Sequence, residues 1–312
     1  MNTLFYDFII VGAGAAGLSA AQYGARSNLS VLVLEPFLEG GQVQNIISLE
    51  NYPGLFPAIS GVQFSETMKN QTLSFGAKIE HQNVVSIDKP NKKFVVKTTK
   101  AIYECYALAI TTGAAHRKLG VPGEKEFESK GVSYCATCDG PFFKNKKIVV
   151  VGGGDAACDE AMYLSSLSDD VTLIHRKGQL RAQKVLAERV LKNPNIKVIF
   201  NTTVTEIKGT NMVHSIVLQN TETGKQSERP VDGVFVFIGM NPRTELVENL
   251  DTDASGYIIT NEKLETKIPG LYVAGDIRAK PFRQLVTACS DGAIAANSAR
   301  EYISEIKNEV YK

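Results

Sequence analysis

The chain lacks an excess of charge of either sign: 34 Lys and Arg stand against 33 Asp and Glu, a formal net charge of +1 over 312 residues. Such a balance creates no field that draws nucleic acid or an anionic membrane, so neither is expected as a partner. Cysteine is scarce. Its five positions (Cys105, Cys135, Cys138, Cys158, Cys289) are odd in number and spread out, which does not suit a secreted disulfide scaffold. A long apolar run is missing too. The longest uncharged stretch, Phe8–Ala25, has eighteen residues, but four glycines (Gly12, Gly14, Gly17, Gly24) interrupt it and its strongly apolar part is only Phe8–Val11. It starts beside Asp7 instead of a basic segment, so it does not read as a secretory signal, and the expected location is the cytoplasm.

What is present is an ordinary globular composition, 44% hydrophobic and 21% charged, enough for a packed core. At ~100–200 residues per domain, the length leaves room for two. Asp7–Val11, then Gly12-Ala-Gly-Ala-Ala-Gly17, then Leu18–Arg26 reads as strand, glycine turn and helix, with Val31–Leu34 as the next strand ending at Glu35. A second such unit comprises Lys147–Val151, the turn Gly152–Ala157, a helix over Cys158–Ser166 and the strand Val171–Ile174. The two turns lie 140 positions apart, which argues for two similar domains. β-branched stretches follow each unit, Asn83–Thr99 in the first half, and Ile196–Phe200 with Val213–Leu218 in the second. Both read as antiparallel meanders. Strands at Ala107–Gly113, Gly233–Gly239 and Gly270–Asp276 close the halves. The expected fold is therefore α/β: two Rossmann-like dinucleotide-binding domains, each with an antiparallel β-meander, the second inserted into the first through crossings near Ala114–Lys118 and Asn241–Glu245.

GxGxxG after a strand lets backbone N–H groups and a helix N-terminus face a pyrophosphate with no Cβ in the way. Glu35, twenty-three residues beyond Gly12, falls where a carboxylate accepts from the hydroxyls of an adenosine ribose. The second turn is GxGxxA (Gly152, Gly154, Ala157), and the position matching Glu35 is basic: His175, Arg176 and Lys177, with Arg181 one turn on. Cations there attract a 2′-phosphate, which points to NADPH. Cys135-Ala-Thr-Cys138 can close a small disulfide ring whose exchange depends on thiolate formation. Zinc needs a second pair of ligands, and the other cysteines are isolated, so no metal site is expected. Asp139 stands next in sequence, as a proton carrier or simply a turn residue. Two dinucleotide sites and a redox dithiol call for a carrier between nicotinamide and sulfur, and a flavin fills that role.

These motifs, with Gly40-Gly41-Gln42, Glu50-Asn-Tyr-Pro-Gly54, Thr112-Gly113, Cys135-Ala-Thr-Cys-Asp-Gly140 and Arg283-Gln284, resemble those of bacterial-type low-molecular-weight thioredoxin reductases along nearly the whole chain. The resemblance implies an FAD-binding domain in two segments, 1–115 and 245–312, and an NAD(P)H-binding domain, 116–244, carrying the CxxC pair. It also implies a homodimer that reduces thioredoxin. Gly12, Gly14, Gly17 and Glu35 would hold the ADP half of FAD. Gly41, Gln42, Asn51, Thr112, Gly113 and Asp276 would line its ribityl and flavin parts, Val84 would meet adenine through its backbone, and Arg283 and Gln284 would sit beside the isoalloxazine. Asp155, Ala156 and Ala157 would join Gly152 and Gly154 around NADPH. Cys138 would face the flavin, Cys135 would attack the thioredoxin disulfide, and Asp139 would serve as acid and base. The chain departs from the family pattern at Lys177–Leu180, which lacks the usual acid and aromatic, and at Ala156, where a hydroxyl is common; both bear on NADPH affinity. Thr111, in place of a common alanine, reads as neutral. The alternatives are a related reductase using NADH or serving another redox protein such as a peroxiredoxin-system partner, and a noncatalytic flavin-binding redox sensor.

Overall fold

The computed structural model describes residues 3–46 and 48–308. The first segment of the chain forms β1 (Leu4–Val11), α1 (Ala15–Arg26), β2 (Val31–Leu34), α2 (Gly61–Ser74), β3 (Lys78–Glu80), β4 (Val84–Asp88), β5 (Phe94–Thr98), β6 (Ile102–Ile110) and β7 (Ala114–His116). The middle segment forms β8 (Val132–Ser133), α3 (Ala136–Asp139), β9 (Ile148–Gly152), α4 (Asp155–Leu164), β10 (Val171–Ile174), α5 (Lys184–Lys192) and β11 (Ile196–Ile199). It continues through β12 (Thr202–Gly209), β13 (Val213–Asn220), β14 (Gln226–Pro230), β15 (Gly233–Phe237) and β16 (Met240–Pro242). The last segment adds β17 (Leu271–Val273) and α6 (Leu285–Lys307).

The chain divides into two compact units, Met1–Ala115 with Asn241–Lys312, and His116–Met240. The second boundary falls four residues before the expected one at 244/245. Asn241–Thr244 go with the first unit because Arg243 is held there: its N–H donates to Gly113 O at 3.0 Å, and its carbonyl accepts from Thr112 Oγ1 at 2.8 Å.

In the first unit the sheet order is β3-β2-β1-β6-β5-β4, with β17 also on β6. Strands β3, β2, β1, β6 and β17 run parallel, and β5 and β4 are antiparallel. The N-terminal half of β6 pairs with β5 and its C-terminal half with β17, so the first meander extends the main sheet. Phe8, Ile9, Ile10 and Leu32–Leu34 are fully buried, as a parallel sheet covered on both faces requires. On one face, α6 packs along α1 through small residues. A Cβ on Gly292 would stand 2.1 Å from Ala16 O, so only glycine permits the close approach of the two helices. The buried stripe of α6 (Ala288, Asp291, Gly292, Ala295, Ala299, Ile303) follows the three-to-four-residue helical repeat, with one carboxylate in it.

The second unit holds a five-stranded parallel sheet, order β11-β10-β9-β15-β8, and a separate antiparallel sheet β12-β13-β14. This corrects one expectation. Ile196–Ile199 is not part of the meander; it is β11, the edge of the parallel sheet, in register with Val171–Ile174. A short β-branched run fits either partner, and pairing is settled by tertiary contacts.

Candidate functional site

The first nucleotide turn is built at the ends of adjacent strands. Val11 is in register with Ile110, and Ile110 with Val273, so Gly12, Thr111–Gly113 and Ala274–Asp276 emerge side by side. This is where an open α/β sheet binds its ligands. Gly12 has φ +106°, and a Cβ on Gly17 would stand 1.9 Å from Gly12 O. Gly14 caps α1 with no side-chain hydrogen bond and no acid in the first turn, and the space where its Cβ would point is open. Glu35, at the end of β2, accepts from the Ala13 N–H through Oε2 at 2.8 Å and from the Phe37 N–H through Oε1 at 3.0 Å. Its carboxylate is thereby held against the turn. Gly40 donates its N–H to Ala13 O at 2.7 Å, which lays the Gly40–Gly41 loop on the same turn.

Around this turn the first unit gathers further polar groups. Asn51 Nδ2 donates to Gln284 Oε1 at 3.0 Å, joining two expected cofactor residues that are 233 positions apart. Gln42 Nε2 reaches Ala114 O at 3.4 Å, and Thr112 Oγ1 donates to Arg243 O at 2.8 Å. Arg283 stacks on Tyr257 at 3.6 Å and donates to Arg278 O at 3.2 Å, with its Nε buried and unpartnered. Asp276 Oδ1 is also buried with no hydrogen-bond partner. Val84 begins β4, two strands from β6, with its backbone paired to Thr98. An uncapped helix end, an open Gly14 and a buried Arg283 Nε without a hydrogen-bond partner fit a bound dinucleotide with a polar tail. Thr111, read from the sequence as neutral, makes contacts that the sequence does not show. It is buried, and its Oγ1 bonds with Val11 O at 2.9 Å and Gly12 O at 2.8 Å, so it stitches the turn to β6.

In the second unit, Gly154 caps α4, again with open space where a Cβ would point and no side-chain hydrogen bond. Ala157 packs beneath Gly152, and Ala156 is exposed. Both oxygens of Asp155 are engaged by Gln183, Oδ1 by its N–H at 2.7 Å and Oδ2 by its side-chain amide at 2.9 Å. Arg181 N–H donates to Gly153 O at 2.6 Å. Together these bonds fold the loop after β10 back on the turn. His175 is buried against Gly153, with Nε2 unpartnered; burial, and then the charges of Arg181 and Arg176, depress its pKa. Arg176, Lys177 and Arg181 are exposed and have no ion-pair partner among the described residues.

The redox pair links the N-cap of α3, which follows β8, to a residue within that helix. A disulfide links Cys135 and Cys138, whose Cα atoms are 5.4 Å apart. Cys135 is the cap of α3: its Sγ accepts from the Cys138 N–H at 3.2 Å and lies 3.1 Å from Thr137 Oγ1, while its N–H donates to Ser133 Oγ at 3.1 Å. Asp139 lines a cavity of about 290 Å³ with Ser133, Phe142, Phe143 and Met212. Burial raises the pKa of each remaining thiol, that of Cys158 to about 11, which marks them as unreactive near neutral pH. Among the described residues no group of three His, Cys, Asp or Glu is placed to hold a metal, and no helix is long and apolar enough to cross a membrane.

Two dinucleotide turns and a dithiol pair on one chain define a nucleotide-linked disulfide oxidoreductase. The family described as pyridine nucleotide-disulphide oxidoreductase matches residues 6–292. The thioredoxin reductase of Treponema pallidum is 53% identical over 303 residues, covering 97% of this chain and 99% of the relative. That of Bacillus subtilis is 46% identical, covering 97% and 96%. The crystal structure of Lactococcus lactis thioredoxin reductase superposes with a TM-score of 0.94 at 41% identity, covering 96% of this chain and 99% of that one. Within the pyridine nucleotide-disulphide oxidoreductases, this chain belongs to the thioredoxin reductases. FAD and NADPH are the cofactors of that family.

Proposed function

We propose that the chain oxidises NADPH and reduces the disulfide of thioredoxin, cycling Cys135 and Cys138 between disulfide and dithiol. The observation that carries this reading is the Cys135–Cys138 disulfide, in a chain with two nucleotide turns. FAD, when bound, supplies a two-electron carrier that takes hydride from nicotinamide and delivers electrons to sulfur. Gly12, Gly14, Gly17, Glu35, Gly41, Gln42, Asn51, Val84, Thr112, Gly113, Asp276, Arg283 and Gln284 would hold it in the first unit. In the second, Gly152, Gly154, Ala156 and Ala157 leave room for the NADPH pyrophosphate. Arg176, Lys177 and Arg181 offer unpaired cations to the 2′-phosphate, with His175 neutral beneath them. Asp155 contributes by holding Gln183, and so the basic loop, in place.

In the reduced enzyme the Cys138 N–H and the Thr137 hydroxyl stabilise negative charge on Cys135 Sγ. Cys135 gives its proton to Asp139, and the thiolate attacks one sulfur of the thioredoxin disulfide. An S–S bond forms between the proteins, and the displaced thioredoxin thiolate takes a proton from Asp139. Cys138 then loses its proton to Asp139 and attacks Cys135 Sγ. This restores the internal disulfide and releases the second thioredoxin sulfur, which is protonated in turn. Two thiols are oxidised and two are formed. A reductase of this kind needs a reducing compartment, which supports a cytoplasmic location, and the family resemblance supports a homodimer.

Cys138→Ser tests the assignment. NADPH is expected still to bleach the bound flavin, while thiol release from oxidised thioredoxin stops. Unchanged turnover would refute the assigned path.

A further inference from the structure

The loop after β17 wraps around one buried carboxylate. Asp291, on the buried stripe of α6, accepts from the Gly275 N–H at 3.0 Å, from Arg278 Nη1 at 3.0 Å and from the Lys280 ammonium at 3.0 Å. The side chain of Lys280 is only 4% exposed. Its ammonium has two further neighbours, Thr287 Oγ1 at 3.3 Å and Asp276 Oδ1 at 3.5 Å. Asp276 is divided. Its Oδ1 is buried with no hydrogen-bond partner, yet the side chain as a whole is 40% exposed.

Burying an ammonium is unfavourable unless it is well paired. Asp291 alone has little need of it, since Gly275 and Arg278 already serve both of its oxygens. Asp276 differs: among the described residues Lys280 is the only cation within ion-pair distance of it. The four side chains, two acids and two bases, sum to zero charge. An uncharged residue at 280 would leave Asp276 free to swing toward water.

We propose that Lys280, pinned by Asp291 and Thr287, is a positioning residue that draws Asp276 Oδ1 inward and so presents the other carboxylate oxygen to FAD. The inference rests on the proposed contact of Asp276 with FAD. It assigns no contact between Lys280 and the cofactor itself.

A double-mutant cycle tests it. FAD release from the purified holoenzyme is timed by the return of flavin fluorescence for the parent, Asp276→Asn, Lys280→Met and the double variant. Each single variant is expected to release FAD about tenfold faster, and the double variant no more than about threefold faster than either, because both changes break one arrangement. If Asp276→Asn speeds release and Lys280→Met leaves it within about twofold of the parent, Lys280 has no positioning role and the Asp276 contact stands. If the two factors multiply in the double variant, Lys280 acts independently of Asp276 and the proposal is overturned. If Asp276→Asn has no effect, the cofactor contact itself fails and takes the proposal with it. Should Lys280→Met not accumulate as folded protein, Lys280→Gln is read in the same cycle by the same criteria.

Discussion

Glu160 offers a measurement that isolates one buried charge. It lies on α4, the helix that opens at the second nucleotide turn, and its Oε2 is buried without a hydrogen-bond partner. Burial, and then the charge of Asp159, pushes its carboxyl up from 4.5 to about 7. Below pH 4.5 it is protonated in the folded and the unfolded chain alike and costs nothing. As the pH rises from 4.5 to 7, the unfolded chain gives up a proton that the folded chain keeps, so stability falls; above 7 the whole cost is present. At about 1.4 kcal/mol per pH unit, that interval amounts to about 3 kcal/mol. Glu160→Gln keeps the shape and removes the titration. Urea unfolding of parent and variant in parallel, followed by far-UV circular dichroism, is expected to give equal stabilities near pH 4.5. The variant is expected to gain steadily to about 3 kcal/mol near pH 8. A difference between the two proteins that stays flat with pH would refute the reasoning, whatever its size.

Two further outcomes are expected. Arg176→Ala removes an exposed, unpaired guanidinium from the proposed 2′-phosphate site, so KM for NADPH rises by about tenfold or more while kinetics with NADH stay unchanged; equal changes with both nucleotides would deny Arg176 that role. Thr111→Val keeps the shape but takes away the hydroxyl bonded to Val11 O and Gly12 O, and is expected to cost about 1–3 kcal/mol in thermal unfolding and to quicken FAD loss. Unaltered FAD retention would show that the turn does not need this stitch.

Much of the molecule was legible in the sequence because the decisive patterns are local. Each glycine turn lies within a dozen residues of its strand and helix, and Cys135 and Cys138 sit within one helical turn. Their chemistry depends on spacing that can be counted. Long-range ties were hidden. Nothing around Thr111 shows that its hydroxyl meets a turn 99 positions earlier, and nothing around Asn51 shows Gln284 beside it. Lys280 reads as an ordinary surface lysine until α6 brings Asp291 to it. Asp155 reads as a phosphate-turn residue, yet Gln183 occupies both of its oxygens. The partner of Ile196–Ile199 is hidden for a related reason, since β-branched residues suit any strand and do not name their neighbour.

The contiguity of His116–Met240 sets an order of events on the ribosome. Every strand and helix of that unit is synthesised before β17 and α6 exist, so it can complete its fold while the rest of the polypeptide is still being translated. The other unit cannot: its central strand β6 lacks β17, and α1 lacks the helix that covers it, until the final segment emerges on the order of ten seconds later. During that interval the small-residue face of α1 is open to chaperones and to aggregation, so slow codons or truncation in the last segment would damage the early half of the protein more than the middle.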